Sequence, residues 1–101
     1  MIPIQSELIF KWDRSKAEKN FRKHGVSFEE AKTVFNDPFL ITYPDEYHST
    51  EEHRFIGIGI SAINRILLVI HTERVETEGT IIRIISCRKA TAMERKSYEN
   101  G

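Results

Sequence analysis

The sequence holds a single cysteine, Cys87, among 101 residues. One cysteine excludes an intramolecular disulfide framework and a Cys-x-x-Cys metal pair, and it fits a reducing compartment. Long apolar runs are missing as well. The longest, Ile66 to Ile70, is far short of the roughly 20 residues that cross a bilayer, and no basic-then-apolar leader opens the chain. The expected location is therefore the cytoplasm, with no role for a membrane. Neither sign of charge dominates: 15 Lys and Arg stand against 15 Asp and Glu. With 11.8 kDa and 40% hydrophobic residues, the chain is expected to form one domain over 1–101, without internal repeat, low-complexity tract or linker. A domain of this size buries roughly two-thirds of its unfolded surface, which leaves no room for a large cofactor fold. No cofactor is expected.

The zero net charge conceals a segregation along the chain. Arg14 to His24 carries Arg14, Lys16, Lys19, Arg22 and Lys23 against Glu18 alone, and Ile81 to Gly101 carries Arg83, Arg88, Lys89, Arg95 and Lys96 against Glu94 and Glu99. The middle, Asn36 to Glu52, has Asp37, Asp45, Glu46, Glu51 and Glu52 and no Lys or Arg. Basic flanks that meet in space make an anion site; flanks that stay apart are solvated faces. The charge pattern leaves both open.

Hydrophobic periodicity predicts an α+β fold in the order β-α-α-β-β-β-β-α. A strand over Leu8 to Trp12 leads to Asp13 as N-cap of a helix from Arg14 to Lys23, ended by Gly25 and bearing Ala17 and Phe21 as its apolar pair. Ser27 and Glu30 have capping-box spacing, and Phe28, Ala31, Val34 and Phe35 repeat at helical intervals until Asn36-Asp37-Pro38. The period then drops to two, with strands at Phe39 to Tyr43, Arg54 to Ser61, Arg65 to Thr72 and Thr80 to Arg88, read as an antiparallel sheet. In the Arg54 strand, Gly57 and Gly59 share one side, where a helix is expected to come close. Thr91 and Glu94 open a short C-terminal helix through Tyr98. The two earlier helices are expected to pack on the sheet.

Chemistry concentrates in the run from Ile81 to Tyr98, where arginines interrupt apolar strand positions. Arg83 sits mid-strand on the side of Ile81, Ile85 and Cys87, and strict alternation sends Arg88 to the other side. A guanidinium within a sheet needs an anion or water, so either an internal acid such as Glu73 or a bound phosphate must meet Arg83. Lys23, His24, Arg74, Arg88 and Lys89 add cations to the phosphate reading. The histidines His24, His48, His53 and His71 match no tight zinc spacing, so no metal is expected. His24 stands at a helix end beside Lys23, and His71 reads as a satisfied, half-buried strand residue. Cys87 reads as a packed thiol, and Phe10 and Trp12 as core aromatics. No nucleophile elbow and no P-loop are present.

Five segments in fixed order carry a resemblance: Phe10 to Asp13 (FKWD), Lys19 to Pro38 (KNFRKHGVSFEEAKTVFNDP), Arg54 to Gly59 (RFIGIG), Leu67 to Arg74 (LLVIHTER) and Ile82 to Tyr98 (IRIISCRKATAMERKSY). Together they resemble the BrnT family of bacterial toxins over nearly the whole chain. The resemblance implies a RelE-like fold, a ribonuclease that cuts messenger RNA and arrests growth, and a BrnA-type, DNA-binding antitoxin joined to it in a hetero-oligomer. DNA would be reached only through that antitoxin. The chain departs from the family's pattern at Cys87, where alanine is common, at Ile63-Asn64-Arg65, and in the longer segment Met1 to Ile9. The positions carried over are Lys23, His24, Arg74, Arg83, Arg88 and Tyr98. A metal-free cut needs the 2'-OH to attack phosphorus, and the roles expected are phosphate neutralisation by Arg83 and Arg88, acid or base work by His24, and proton donation or base stacking by Tyr98. Lys23, Arg74 and Lys89 would hold adjacent RNA phosphates. The competing expectation is a non-catalytic RNA- or partner-binding module acting as operon co-repressor.

Overall fold

The computed structural model describes residues 7–47 and 52–101; His48 and Glu51 lie outside them. The elements are β1 (Glu7–Lys11), α1 (Arg14–His24), α2 (Phe28–Lys32) with a 3-10 turn (Thr33–Asn36), β2 (Ile41–Pro44), β3 (Arg54–Ile60), β4 (Ile66–Glu76), β5 (Gly79–Lys89) and α3 (Ala92–Asn100). The predicted order holds. The five strands form one sheet in the order β1-β5-β4-β3-β2. β2 to β5 make the expected antiparallel meander, but β1 runs parallel to β5, so the sheet is mixed rather than antiparallel. Periodicity fixes which face a strand buries and carries no information about the direction of its neighbour.

Local chemistry sets the helix ends. Asp13 Oδ1 accepts from the Lys16 N–H at 2.9 Å, and Gly25 takes φ 69° to close α1. At α2, Ser27 Oγ accepts from the Glu30 N–H, but the Glu30 carboxylate turns away from the cap to Arg65 and Ser61. Thr91 and Glu94 complete a full capping box at α3.

α1 and α2 cover one face of the sheet. Val26, Phe28, Ala31 and Val34 meet Leu67, Val69, Ile82, Ile84 and Cys87 there, with Phe10 and Trp12 packed at the border. The apolar pair expected to anchor α1 behaves otherwise: Ala17 packs inward, Phe21 is 55% exposed, and the buried residue of the helix is Asn20. The glycine side of β3 receives the 3-10 turn and the loop after it. A Cβ on Gly59 would stand 3.1 Å from Leu40 and 3.3 Å from Val34 and Asp37. α3 returns to the opposite face of the sheet, packing against β3, where Ile58 and Leu68 are buried. It buries no residue of its own and is held by Arg88 to Glu94 and by Tyr98 to Asp37.

Candidate nucleic-acid interface

The face turned away from α1 and α2 carries the cations. Directly paired strand residues project to the same side, so the register defines rows across the sheet. One row runs Lys11, Arg83, Thr72, Arg54 over β1, β5, β4 and β3. The next is Ser86, Ile70, Ile56, Tyr43, and beyond it lie Arg88, Leu68, Ile58 and Ile41. On the other flank of the arginine row, Arg74 pairs with Ile81. Lys11, Arg54, Arg74, Arg83 and Arg88 thus share a face; the five come from four strands, two of them from β5.

Strict alternation places Arg83 and Arg88 on opposite sides, and a β-bulge overturns it. Ile70 pairs with Ser86 while His71 pairs with Ile84, leaving Ile85 as an extra residue. Arg83 therefore faces with Thr72, and Arg88, opposite Leu68, faces the same way. Ile85 is inserted between the two arginines, and Cys87 turns inward opposite Val69. The Cys87 thiol is buried and its pKa is pushed up to about 12 by that burial. This is the packed thiol the sequence predicts.

Each arginine of this face meets an acid. Arg83 Nη2 donates to Glu52 Oε1 at 2.7 Å, and Arg54 Nε stands 3.9 Å from the same oxygen. Arg74 Nε pairs with Glu76 at 3.0 Å. Arg88 makes a two-pronged contact to Glu94, 2.7 and 2.9 Å. The Arg88 guanidinium holds the Glu94 carboxyl below the usual range against the upward pull of burial. None of these cations is sealed off, since the Arg83, Arg88 and Arg74 side chains are 46, 37 and 69% exposed. Exposed pairs of this kind are worth about 0–1 kcal/mol, so an incoming phosphate competes with the carboxylates on easy terms. The face carries two hollows. One of about 570 Å³ is lined by Lys11, Glu52, His53, Thr72, Arg74 and Arg83, and one of about 450 Å³ by Tyr43, Arg54, Ile70, Ile85, Arg88 and Glu94, among others.

The remaining expected residues lie elsewhere. Lys23 and His24 end α1, which is fastened to β5 through Asn20 and Cys87 on the opposite side of the sheet. Lys89 pairs with Leu67 on that same helix side, and its charge acts on Glu30. Arg83 and Arg88 line separate hollows, and His24 lines neither of them. The Tyr98 hydroxyl donates to Asp37 Oδ2 at 2.5 Å, and that carboxylate pushes its pKa up to about 12. Glu73, the acid expected for Arg83, instead takes His71 Nε2 at 2.9 Å; His71 is fully buried, with Nδ1 3.3 Å from the Val69 carbonyl. Sequence reasoning missed Lys11, Glu52, His53 and Arg54 as site residues. The signal for Lys11 and Arg54 was a charge at alternating positions of apolar strands; nothing local marks Glu52 and His53. Among the described residues no group of three or more metal-type ligands is assembled, and no helix is long and apolar enough to cross a membrane.

Among solved structures the chain is similar to the Brucella abortus ribonuclease toxin BrnT, with 26% identity and a TM-score of 0.59 over 85% of this chain and 99% of that one. Comparison with curated proteins gave no match. The family model for the ribonuclease toxin BrnT of type II toxin-antitoxin systems matches residues 12–94, which contain four of the five cations of the face. By that match across most of its length, the chain belongs to the BrnT family of ribonuclease toxins of type II toxin-antitoxin systems.

Proposed function

We propose that the chain is a metal-independent endoribonuclease that binds RNA across the cationic face of its sheet and cuts it by attack of the ribose 2'-OH on the neighbouring phosphorus. The products are a 2',3'-cyclic phosphate and a free 5'-OH. Messenger RNA in the cytoplasm is the target, and growth arrest follows from its loss. The observation that carries the reading is that Arg83 and Arg88, brought to one side by the bulge, stay open to solvent beside Lys11, Arg54 and Arg74. Four strand positions separate their partners Thr72 and Leu68, so the two Cα atoms lie roughly 13 Å apart, and their guanidinium groups turn to different acids. They therefore serve different phosphates of one strand, with Arg83 at the reacting linkage and Arg88 and Arg74 along the backbone. Lys23, His24 and Lys89, across the sheet, take no part in the chemistry, and Tyr98 fixes α3.

A toxin of a type II system has an antitoxin partner. A DNA-binding antitoxin of the BrnA type fits if it lays an acidic segment over the same cations, taking the places of Glu52 and Glu94 and excluding RNA in a hetero-oligomer. The test is purified protein with a defined RNA in the presence of a chelator. Arg83→Ala is expected to lower the rate by about 10²–10³-fold, and His24→Ala to leave it within about threefold of wild type. Equal rates for Arg83→Ala and wild type overturn the reading. The pairing of every arginine with an acid also suits a binding module, which shifts RNA on a gel and leaves it whole, so the cyclic phosphate end decides between the two.

A further inference from the structure

A 2'-OH attack needs a group to take the hydroxyl proton and another to protonate the departing 5'-oxygen, and arginine, always charged, supplies neither. We infer that Glu52 and His53, on the turn into β3, are the general base and general acid of this site. The inference rests on the ribonuclease reading above.

The hollow beside Arg83, about 570 Å³, is lined by both residues together with Lys11, Thr72, Glu73, Arg74, Ile81 and Arg83. That volume falls in the range of sites that enclose small ligands, roughly 300–1,000 Å³, and is enough for one ribose-phosphate linkage. The other candidates are otherwise engaged. His24 lies across the sheet, and His71 is fully buried against Glu73. Among the described histidines, His53 is the one that lines the cationic face, and it is exposed. Glu73 is taken by His71, and Glu94 is fixed twice over, by Arg88 and by the Thr91 N–H of its own cap. Glu52 differs in that its partners, Arg83 and Arg54, are the cations a phosphate recruits.

Substrate binding therefore arms the base. A phosphate oxygen entering between Lys11 and Arg83 draws the Arg83 donors away from Glu52 Oε1 and leaves that oxygen beside the ribose. The carboxylate takes the 2'-OH proton as O2' bonds to phosphorus. The bond from phosphorus to O5' breaks, and O5' takes the proton of the His53 imidazolium. Glu52 ends protonated, His53 neutral, and solvent restores both. The charged groups that surround this pair are Lys11 from β1, Arg54 from β3, Glu73 and Arg74 from β4, and Arg83 from β5. Four cations against two acids, Glu52 and Glu73, hold the phosphate in place.

The experiment uses purified protein, an oligoribonucleotide cut at one mapped linkage, and the same oligonucleotide with sulfur replacing the 5'-oxygen at that linkage. A thiolate leaves without a proton, so this second substrate needs the base and not the acid. Glu52→Gln and His53→Asn are each expected to slow cleavage of ordinary RNA by about 10²–10⁴-fold, with RNA affinity kept within about threefold. His53→Asn regains most of the wild-type rate on the sulfur substrate, which also shows that it folds; Glu52→Gln does not regain it. Unchanged circular dichroism and gel-shift affinity serve the same purpose for Glu52→Gln. Cleavage of ordinary RNA by both variants within about threefold of wild type overturns the assignment and leaves the ribonuclease reading standing. A wild-type protein that binds RNA and never cuts it overturns both.

Discussion

Asn20 is the point at which the helix layer grips the strand that carries the site, and its removal has a magnitude that follows from the structure. Its Nδ2 donates to the Val26 carbonyl at 3.0 Å and to the Cys87 carbonyl at 2.9 Å, and it stands 3.2 Å from Cys87 Sγ. Its Oδ1 accepts from the Cys87 N–H at 3.1 Å. Asn20→Ala thus strands three buried backbone groups at once. Each stranded group costs about 1–3 kcal/mol, partly relieved where a water enters, so a loss of about 3–4 kcal/mol is expected. Domains of this size hold about 5–15 kcal/mol in all. With a urea dependence of about 1.5 kcal/mol per molar, the unfolding midpoint falls by roughly 2 M. Asn20→Asp keeps the acceptor and turns a carboxylate toward two carbonyls, so it falls at least as far at pH 7. Urea unfolding followed by tryptophan fluorescence reads the shift. A midpoint within about 0.5 M of wild type for Asn20→Ala would refute the claim that this side chain ties α1 to β5.

Other consequences can be read separately. Burial raises the Cys87 pKa from 9.0 to about 12, so its contribution to stability is complete below pH 9 and is lost as pH climbs toward 12; at pH 8 a thiol reagent should label the native protein no faster than the chain unfolds, and rapid labelling would contradict the buried placement. The Arg65 hydrogen bond holds the Glu30 carboxyl below 4.5 against desolvation, with Ser61 assisting. Its stabilisation is present above pH 4.5 and fades as pH falls through the lowered value, so Glu30→Gln should lose about 2 kcal/mol at pH 7 and show a shallower acid decline; superimposable acid curves would count against the pair. Tyr98→Phe removes the hydrogen bond to Asp37 and should weaken the docking of α3 by about 1 kcal/mol, seen as faster amide exchange over 92–100. Its kcat should stay within about threefold of wild type. A loss above tenfold with α3 exchange unchanged would put the phenol at the reacting atoms instead.

The elements were legible because each rests on a local cause. Asp13, Gly25, Ser27 and Thr91 mark helix ends through bonds to backbone a few residues away, and the period-two runs mark strands whose faces differ in burial. Asn20 was illegible for the opposite reason. It is a polar residue in a basic helix, and its burial depends on Cys87, 67 positions later. The same holds for the row Lys11, Arg83, Thr72, Arg54, whose members are neighbours only through three strand pairings. A segment such as KNFRKHG points to the family in the sequence, yet part of what it specifies is this grip on β5 rather than a reacting group.

The position of Arg88 shows most sharply where pattern reading stops. It lies five positions after Arg83, an odd number, and an unbroken strand would turn one of them into the helix layer. With the register unbroken beyond His71 and Ile84, Ser86 would stand opposite Val69 in the buried site that Cys87 now fills, Cys87 would turn to the other face opposite Leu68, and Arg88 would take the place of Lys89 opposite Leu67. A serine hydroxyl suits that apolar site less well than the thiol, and Arg88 on the helix side would lose Glu94, whereas the bulge gives up a single ladder pairing. The extra residue at Ile85 is therefore the cheaper arrangement: it keeps the small thiol inside, sends Arg88 to solvent and Glu94, and leaves two arginines on one face. The demand of the core for an apolar residue at 87, acting through the bulge, is what assembles the cationic face on the far side of the sheet.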